Sequence, residues 1–101
     1  MINEEVYKDL LNRVFENEQS LYGKSTNDIF RKISGLEISD DGRILDISGD
    51  FKNIIRDLVV EFKKLDGDLS FRITKGVIEA YRSLYPDVDF PVMEQPVSGK
   101  T

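Results

Sequence analysis

Two runs in this chain carry the tail of a phosphate-binding loop, Gly23-Lys24-Ser25-Thr26 and Ser98-Gly99-Lys100-Thr101. Such a loop cradles phosphate with backbone N–H groups. It needs a glycine five positions before the Gly-Lys pair, a strand before it and a helix after it. Glu18 and Glu94 stand at the first-glycine positions, the first run follows a helical pattern, and no helical pattern follows the second. The first therefore reads as a turn with a helix cap and the second as part of a tail.

The richest cluster of charge is acidic: Glu37, Asp40, Asp41, Asp46 and Asp50. Carboxylates of this kind serve Mg²⁺ or Ca²⁺ sites or general acid–base chemistry when they converge, but the spacing of a calcium-binding helix–loop–helix is absent. Simple solvation of an exposed face, or a basic protein partner, accounts for them without a metal. Tyr81 and Tyr85 lie one helical turn apart and suit either an interface anchor or the outer edge of a core.

The rest of the chemical inventory is narrow. The 101 residues include no Cys, no His and no Trp. Disulfides, thiolate nucleophiles, Ser-His-Asp triads and zinc hydrolase sites are thereby excluded. No segment approaches the ~18 consecutive apolar residues of a spanning helix. Met1-Ile2-Asn3-Glu4-Glu5 has neither the basic patch nor the apolar run of a secretory signal, so a cytoplasmic location is the expectation. With 14 basic against 19 acidic residues, the net charge of −5 repels phosphate backbones on average.

Periodicity supplies the elements that must position these residues. Val6, Tyr7, Leu10, Leu11, Val14 and Phe15 recur at helical spacing, predicting a helix over Asn3–Leu21 with Asn3 as cap and Glu4 and Glu5 at its positive end. Ser25 and Asp28 match a capping box for a short second helix with Ile29, Phe30 and Ile33 inward, and Gly35 suits its left-handed stop. Leu36 to Ile47 reads as a β-hairpin turning on Asp41-Gly42 as a two-residue loop. That register sets Asp40 opposite Arg43, Ile38 opposite Leu45 and Leu36 opposite Ile47. It directs Leu36, Ile38, Leu45 and Ile47 to one face, and Glu37, Ser39, Ile44 and Asp46 to the other.

Asp50 caps a third helix with a wide stripe from Phe51 to Leu65, closed by Lys63-Lys64 before Asp66-Gly67. A fourth runs from about Ser70 to Leu84 and stops at Tyr85-Pro86. Gly76 within it costs about 1 kcal/mol relative to Ala, and marks either a close helix crossing or a weak spot in the helix. Val88, Phe90 and Val92 alternate, but Pro91 confines that segment to an edge strand or an extended arm.

The expected architecture is α+β: about four helices and one antiparallel hairpin, 36–47, between helices two and three. It forms one domain over residues 1–92, with 93–101 as a flexible tail. The expected core is Val6, Leu10, Val14, Phe30, Ile33, Leu36, Ile38, Leu45, Ile47, Ile54, Leu58, Phe62, Val77, Tyr81 and Leu84. A two-stranded ribbon leaves backbone groups on its edges, which a second molecule would satisfy. The functional expectation is a small, non-catalytic protein-interaction or regulatory module without metal or cofactor. Its partner is another protein or a second copy joined through the hairpin. The candidate contacts are Glu37, Ser39, Asp40, Asp41, Ile44 and Asp46. The alternative is a winged-helix-like DNA-binding regulator using the 24–32 helix. The hairpin opposes it, because Gly35 to Gly49 holds four acids and one base where a wing against phosphates should be cationic.

Overall fold

A computed structural model describes residues 3–93. The expected tail and the Ser98–Thr101 run fall outside the described residues, apart from Met93. Four helices and one hairpin form a single α+β domain: α1 Asn3–Tyr22, α2 Lys24–Lys32, β1 Leu36–Ile38, β2 Ile44–Ile47, α3 Phe51–Asp66 and α4 Leu69–Leu84.

The core forms where the four apolar helical stripes meet. Leu10, Leu11, Val14 and Phe15 of α1, Phe30 of α2, Ile54, Ile55, Leu58 and Phe62 of α3, and Ile78 of α4 are all buried. Phe30 sits at the centre, edge-on to both Phe15 and Phe62. Each such ring removed from water contributes roughly 1.5–3 kcal/mol. Of the expected core, Leu36, Ile38 and Ile47 pack on the cluster half-buried, whereas Leu84 and Leu45 are exposed.

Two helix ends depart from expectation. Ser25 and Asp28 form no capping box. α1 runs through Tyr22, and Gly23 at φ 57° turns the chain straight into α2, so Ser25 already lies inside the helix and makes no cap bond. Gly35, also at positive φ, closes the base of the hairpin instead of capping α2: its carbonyl accepts the Ser48 N–H at 2.7 Å. Asp50, by contrast, caps α3 as expected, accepting from the Lys52 N–H at 3.1 Å.

The hairpin has the expected pairing at its base, Leu36 with Ile47 and Glu37 with Asp46, and a different one at its tip. The loop holds three residues, Asp40-Asp41-Gly42. The Ser39 N–H donates to the Arg43 carbonyl, and the Gly42 N–H to that of Ser39. Gly42 takes the left-handed position such a loop requires, φ 90°. The extra loop residue shifts the register by one, so Ile38 faces Ile44, and a bulge at Leu45 restores the pairing below. The consequence is a reversal of two side chains. Ile44 is buried at 4% exposure and Leu45 is outside at 49%. Tertiary contact selects this tip: a Cβ on Gly42 would stand 2.7 Å from the Phe15 ring, and Asn12 of α1 accepts the Ile44 N–H at 2.9 Å.

Residues 87–93 form an arm, not a strand. Their alternation is as read, with Val88 and Phe90 buried and Asp89 exposed. Side chains, however, take the place of a strand partner. Tyr7 donates to the Asp89 carbonyl at 2.5 Å, and Arg82 to the carbonyls of Phe90 and Pro91. Tyr7 also stacks on Phe51, with centroids 4.0 Å apart, and meets Phe90 edge-on.

Candidate functional site

The six hairpin residues singled out in the sequence do not form one surface. Glu37 and Asp46 are exposed and directly opposed across the ribbon, beside a shallow depression of about 130 Å³. Asp40 and Asp41 stand at the exposed tip. Ser39 is turned into the loop, donating to Asp41 and accepting from the Arg43 N–H. Ile44 is in the core. Among the described residues, no group of three or more acidic side chains is placed to hold a metal ion. The edge of β2 is also partly occupied within the chain, since Asn12 takes the Ile44 N–H and Lys8 reaches the Leu45 carbonyl at 3.4 Å.

The 24–32 helix offers little continuous positive surface. Thr26 is fully buried, Asn27 accepts from Gln19, and Arg31 is drawn to the Ser39 carbonyl. Exposed Asp28 lies among the remaining cations, Lys24 and Lys32.

A different candidate site lies between α1 and α4. These helices run antiparallel and are tied twice across their interface. Tyr81 donates to Asp9 at 2.5 Å near one end, and Ser70 lies 3.0 Å from Glu18 near the other. Nine residues of α1 separate the ties, or roughly 13 Å at 1.5 Å per residue. The Tyr81 hydroxyl is held protonated far above the usual phenol range, by burial first, then by its bond to Asp9 and that carboxylate's charge.

Along this seam, from Asn17 and Arg72 past the Asp9–Tyr81 tie to Tyr85, opens a groove of about 570 Å³. Its floor is Gly76 and Val77, the α1 wall carries Asp9, Arg13 and Asn17, the α4 wall Arg72, and Tyr85 and Leu84 lie at one end; Asp9, the one carboxylate lining it, accepts the Tyr81 hydroxyl. Gly76 does not mark an internal helix crossing, because nothing lies within 4 Å of where its Cβ would be. Its missing side chain instead deepens the groove. Tyr85 stacks on Tyr81 at 5.9 Å, so the tyrosine pair is at once a core edge and a groove end. Among the described residues, neither Arg13 nor Arg72 has a carboxylate within salt-bridge distance or a side-chain hydrogen bond. Sequence reasoning passed over both, since only the pairing of α1 with α4 brings them to one groove. The visible signal was the Arg72, Gly76, Ala80 stripe, polar or small at four-residue intervals along one face of α4.

A second groove of about 590 Å³, between α3 and the arm, is more apolar, lined by Ile55, Val59, Val60, Phe71 and Val92. Its two cations are already engaged, Lys52 with Asp89 and Arg56 with Asn53.

Beyond the groove's lower tie lies a buried polar network that periodicity alone did not flag. Glu18 is wholly buried, and its carboxyl is pushed up to about 7, chiefly by burial and further by Asp66, against the opposing effect of the Ser70 hydrogen bond. Ser70 Oγ also reaches Asp66 at 2.7 Å, and Tyr22 donates to the same Asp66 oxygen at 2.5 Å. That bond, followed by burial, moves the Tyr22 hydroxyl up to about 12. Glu18 Oε2 and Thr26 Oγ1 are the buried side-chain oxygens without a partner among the described residues. Glu18 was legible in principle, falling three residues after Phe15, four after Val14 and seven after Leu11, within the apolar stripe.

No protein-family model matches this chain, and no curated protein or solved structure is significantly similar to it. No helix among the described residues is long and apolar enough to cross a membrane.

Proposed function

We propose that this chain is a non-catalytic protein-interaction module whose α1/α4 groove takes an acidic, amphipathic segment of a partner protein. The observation that carries the reading is the pair of guanidiniums, Arg13 and Arg72, lining one groove above Gly76 without a salt bridge among the described residues, while the groove's one carboxylate, Asp9, is taken up by the Tyr81 hydroxyl. In a chain of net charge −5, cations left unpaired on both walls of a concavity complement carboxylates. The glycine floor lets a helix or extended backbone approach closely, and Leu84 and Tyr85 give an apolar side chain a place to land. A non-catalytic role accords with the absence of His and Cys and with hairpin acids that do not converge.

Self-association through the hairpin has less support, because Asn12 and Lys8 already serve the β2 edge. DNA binding through α2 has less as well, given buried Thr26 and the acidic tip.

The test is fluorescence anisotropy of a labelled Glu- and Leu-rich amphipathic peptide, with a Lys-for-Glu peptide as control. The acidic peptide is expected to bind, and the double variant Arg13→Glu, Arg72→Glu to weaken binding about tenfold or more, a difference of about 1.4 kcal/mol. Equal binding of both peptides, or none, overturns the reading. So does a mass that doubles with concentration and disappears in the double variant, which would make a second copy the occupant.

A further inference from the structure

The buried network beside the groove has too few hydrogens for its contacts. Three oxygen–oxygen contacts run in a line: Glu18 Oε1 to Ser70 Oγ at 3.0 Å, Ser70 Oγ to Asp66 Oδ2 at 2.7 Å, and Tyr22 Oη to the same Oδ2 at 2.5 Å. Each needs one hydrogen. A serine hydroxyl carries one and a tyrosine hydroxyl one, while ionised carboxylates carry none. Two hydrogens for three contacts leaves Ser70 sharing one hydrogen between two carboxylates, a deficit that a proton on either carboxyl group would fill.

Of the two carboxyls, Asp66 is the better served. It is only half-buried, and it accepts two hydroxyls at one oxygen and the Ser70 N–H at the other. Glu18 is fully buried and its second oxygen has no partner among the described residues. A charge there would be the costlier of the two to keep from water. The groups that bear on Glu18 are Asp66 from α3, Ser70 from α4 and Tyr22 from its own helix. Among the described residues, no Lys or Arg bonds to it.

We infer that Glu18 is a carboxylic acid in the folded chain, donating its own hydrogen to Ser70, so that folding takes up one proton and the α1–α4 tie depends on it. The directed chain is then complete: Glu18 donates to Ser70, Ser70 to Asp66, and Tyr22 to Asp66. When the proton leaves, Ser70 has one hydrogen for two carboxylates, and the tie beside Asn17 and Arg72 loses a bond. The network is thus a pH-sensitive clasp on the α1–α4 interface, next to the groove. It stands whether or not the groove binds a peptide.

The sign of the pH dependence follows from linkage. The carboxyl is raised from 4.5 to about 7 by folding, burial being the main cause. Between those values the folded chain holds a proton that the unfolded chain has lost, so stability from this group is fully present below 4.5 and falls as pH rises to about 7. Within that window the folding equilibrium constant drops by up to about tenfold per pH unit on account of Glu18.

Urea unfolding of the wild type and of Glu18→Gln, from about pH 5 to about pH 8, isolates this contribution. Gln keeps a donor toward Ser70 and cannot titrate. The ratio of the two folding constants is expected to fall with rising pH and to level off above about 7, and a ratio independent of pH overturns the inference. Should Glu18→Gln not fold, the ¹³C shift of Glu18 Cδ in the wild-type chain decides. A titration midpoint near 7 supports the clasp, and an ionised shift already present at about pH 5.5 refutes it.

Discussion

Replacing Gly76 by Ala isolates the claim that the α1/α4 groove is open. Gly76 lies in the interior of α4 without a positive φ, and its absent Cβ has no neighbour within 4 Å. A methyl group there meets nothing, so neither a packing gain nor a clash enters. What remains is the helical penalty of glycine relative to alanine, about 0.8–1.0 kcal/mol, much of it conformational entropy of the unfolded chain. For a domain of this size, that raises the melting temperature by roughly 4–8 °C. In urea, the midpoint should rise at unchanged slope, since the surface exposed on unfolding barely changes. Gly76→Leu should keep most of the gain, leucine being nearly as good a helix former, while filling the groove floor and abolishing binding of the acidic peptide. Stability and binding would then move in opposite directions, which a misfolded variant cannot produce. A Gly76→Ala midpoint equal to or below the wild type refutes the reasoning, for it would mean that something occupies the space above Gly76.

Other outcomes follow from single positions. Gly42→Ala should cost about 2–5 kcal/mol in urea unfolding, combining left-handed strain at φ 90° with a Cβ driven into the Phe15 ring. The bulged register makes Ile44→Ala expensive, about 2–5 kcal/mol, and Leu45→Ala cheap, below about 1 kcal/mol; comparable losses, or the reverse order, would restore the two-residue loop. Phe90→Ala should cost about 3 kcal/mol and free the arm, seen as faster amide exchange from Val88 to Val92. At Glu18, the Gln variant should lose stability less steeply than the wild type as pH rises toward 7.

How far the sequence carried depends on whether a feature is set locally or by contact between elements. The four helices were legible because stripes such as Phe51, Ile54, Ile55, Leu58 and Phe62 recur at helical spacing, and Asp50 marks where one begins. The base of the hairpin was legible from alternation. Its tip was not, since Asp41-Gly42 serves a two-residue or a three-residue loop equally well. Phe15 and Asn12, about thirty residues away in sequence, decide between them. The same limit hid the capping at α2, where a left-handed Gly23 overrode a matching Ser25/Asp28 pair.

The candidate site was legible in halves. Gly76 and the Tyr81/Tyr85 pair stood out, one as a costly residue in a helix and the other as aromatic spacing. Nothing in the sequence set Arg13 and Arg72 apart; the antiparallel packing of α1 and α4 brings them to one groove. Glu18 lay in plain view on an apolar stripe, but its meaning required Ser70, fifty-two residues on, and Asp66 behind it. Of the hairpin acids, Glu37 and Asp46 keep the opposition that alternation indicated, while Asp40 and Asp41 stand apart at the tip.

Amide chemical-shift mapping during titration with the Glu- and Leu-rich peptide identifies directly which surface receives a partner. Shifts confined to residues 13–17 and 72–85, absent in Gly76→Leu, are the predicted result. Shifts clustered on 36–47, or on the α3 groove around Val59 and Val92, would contradict it.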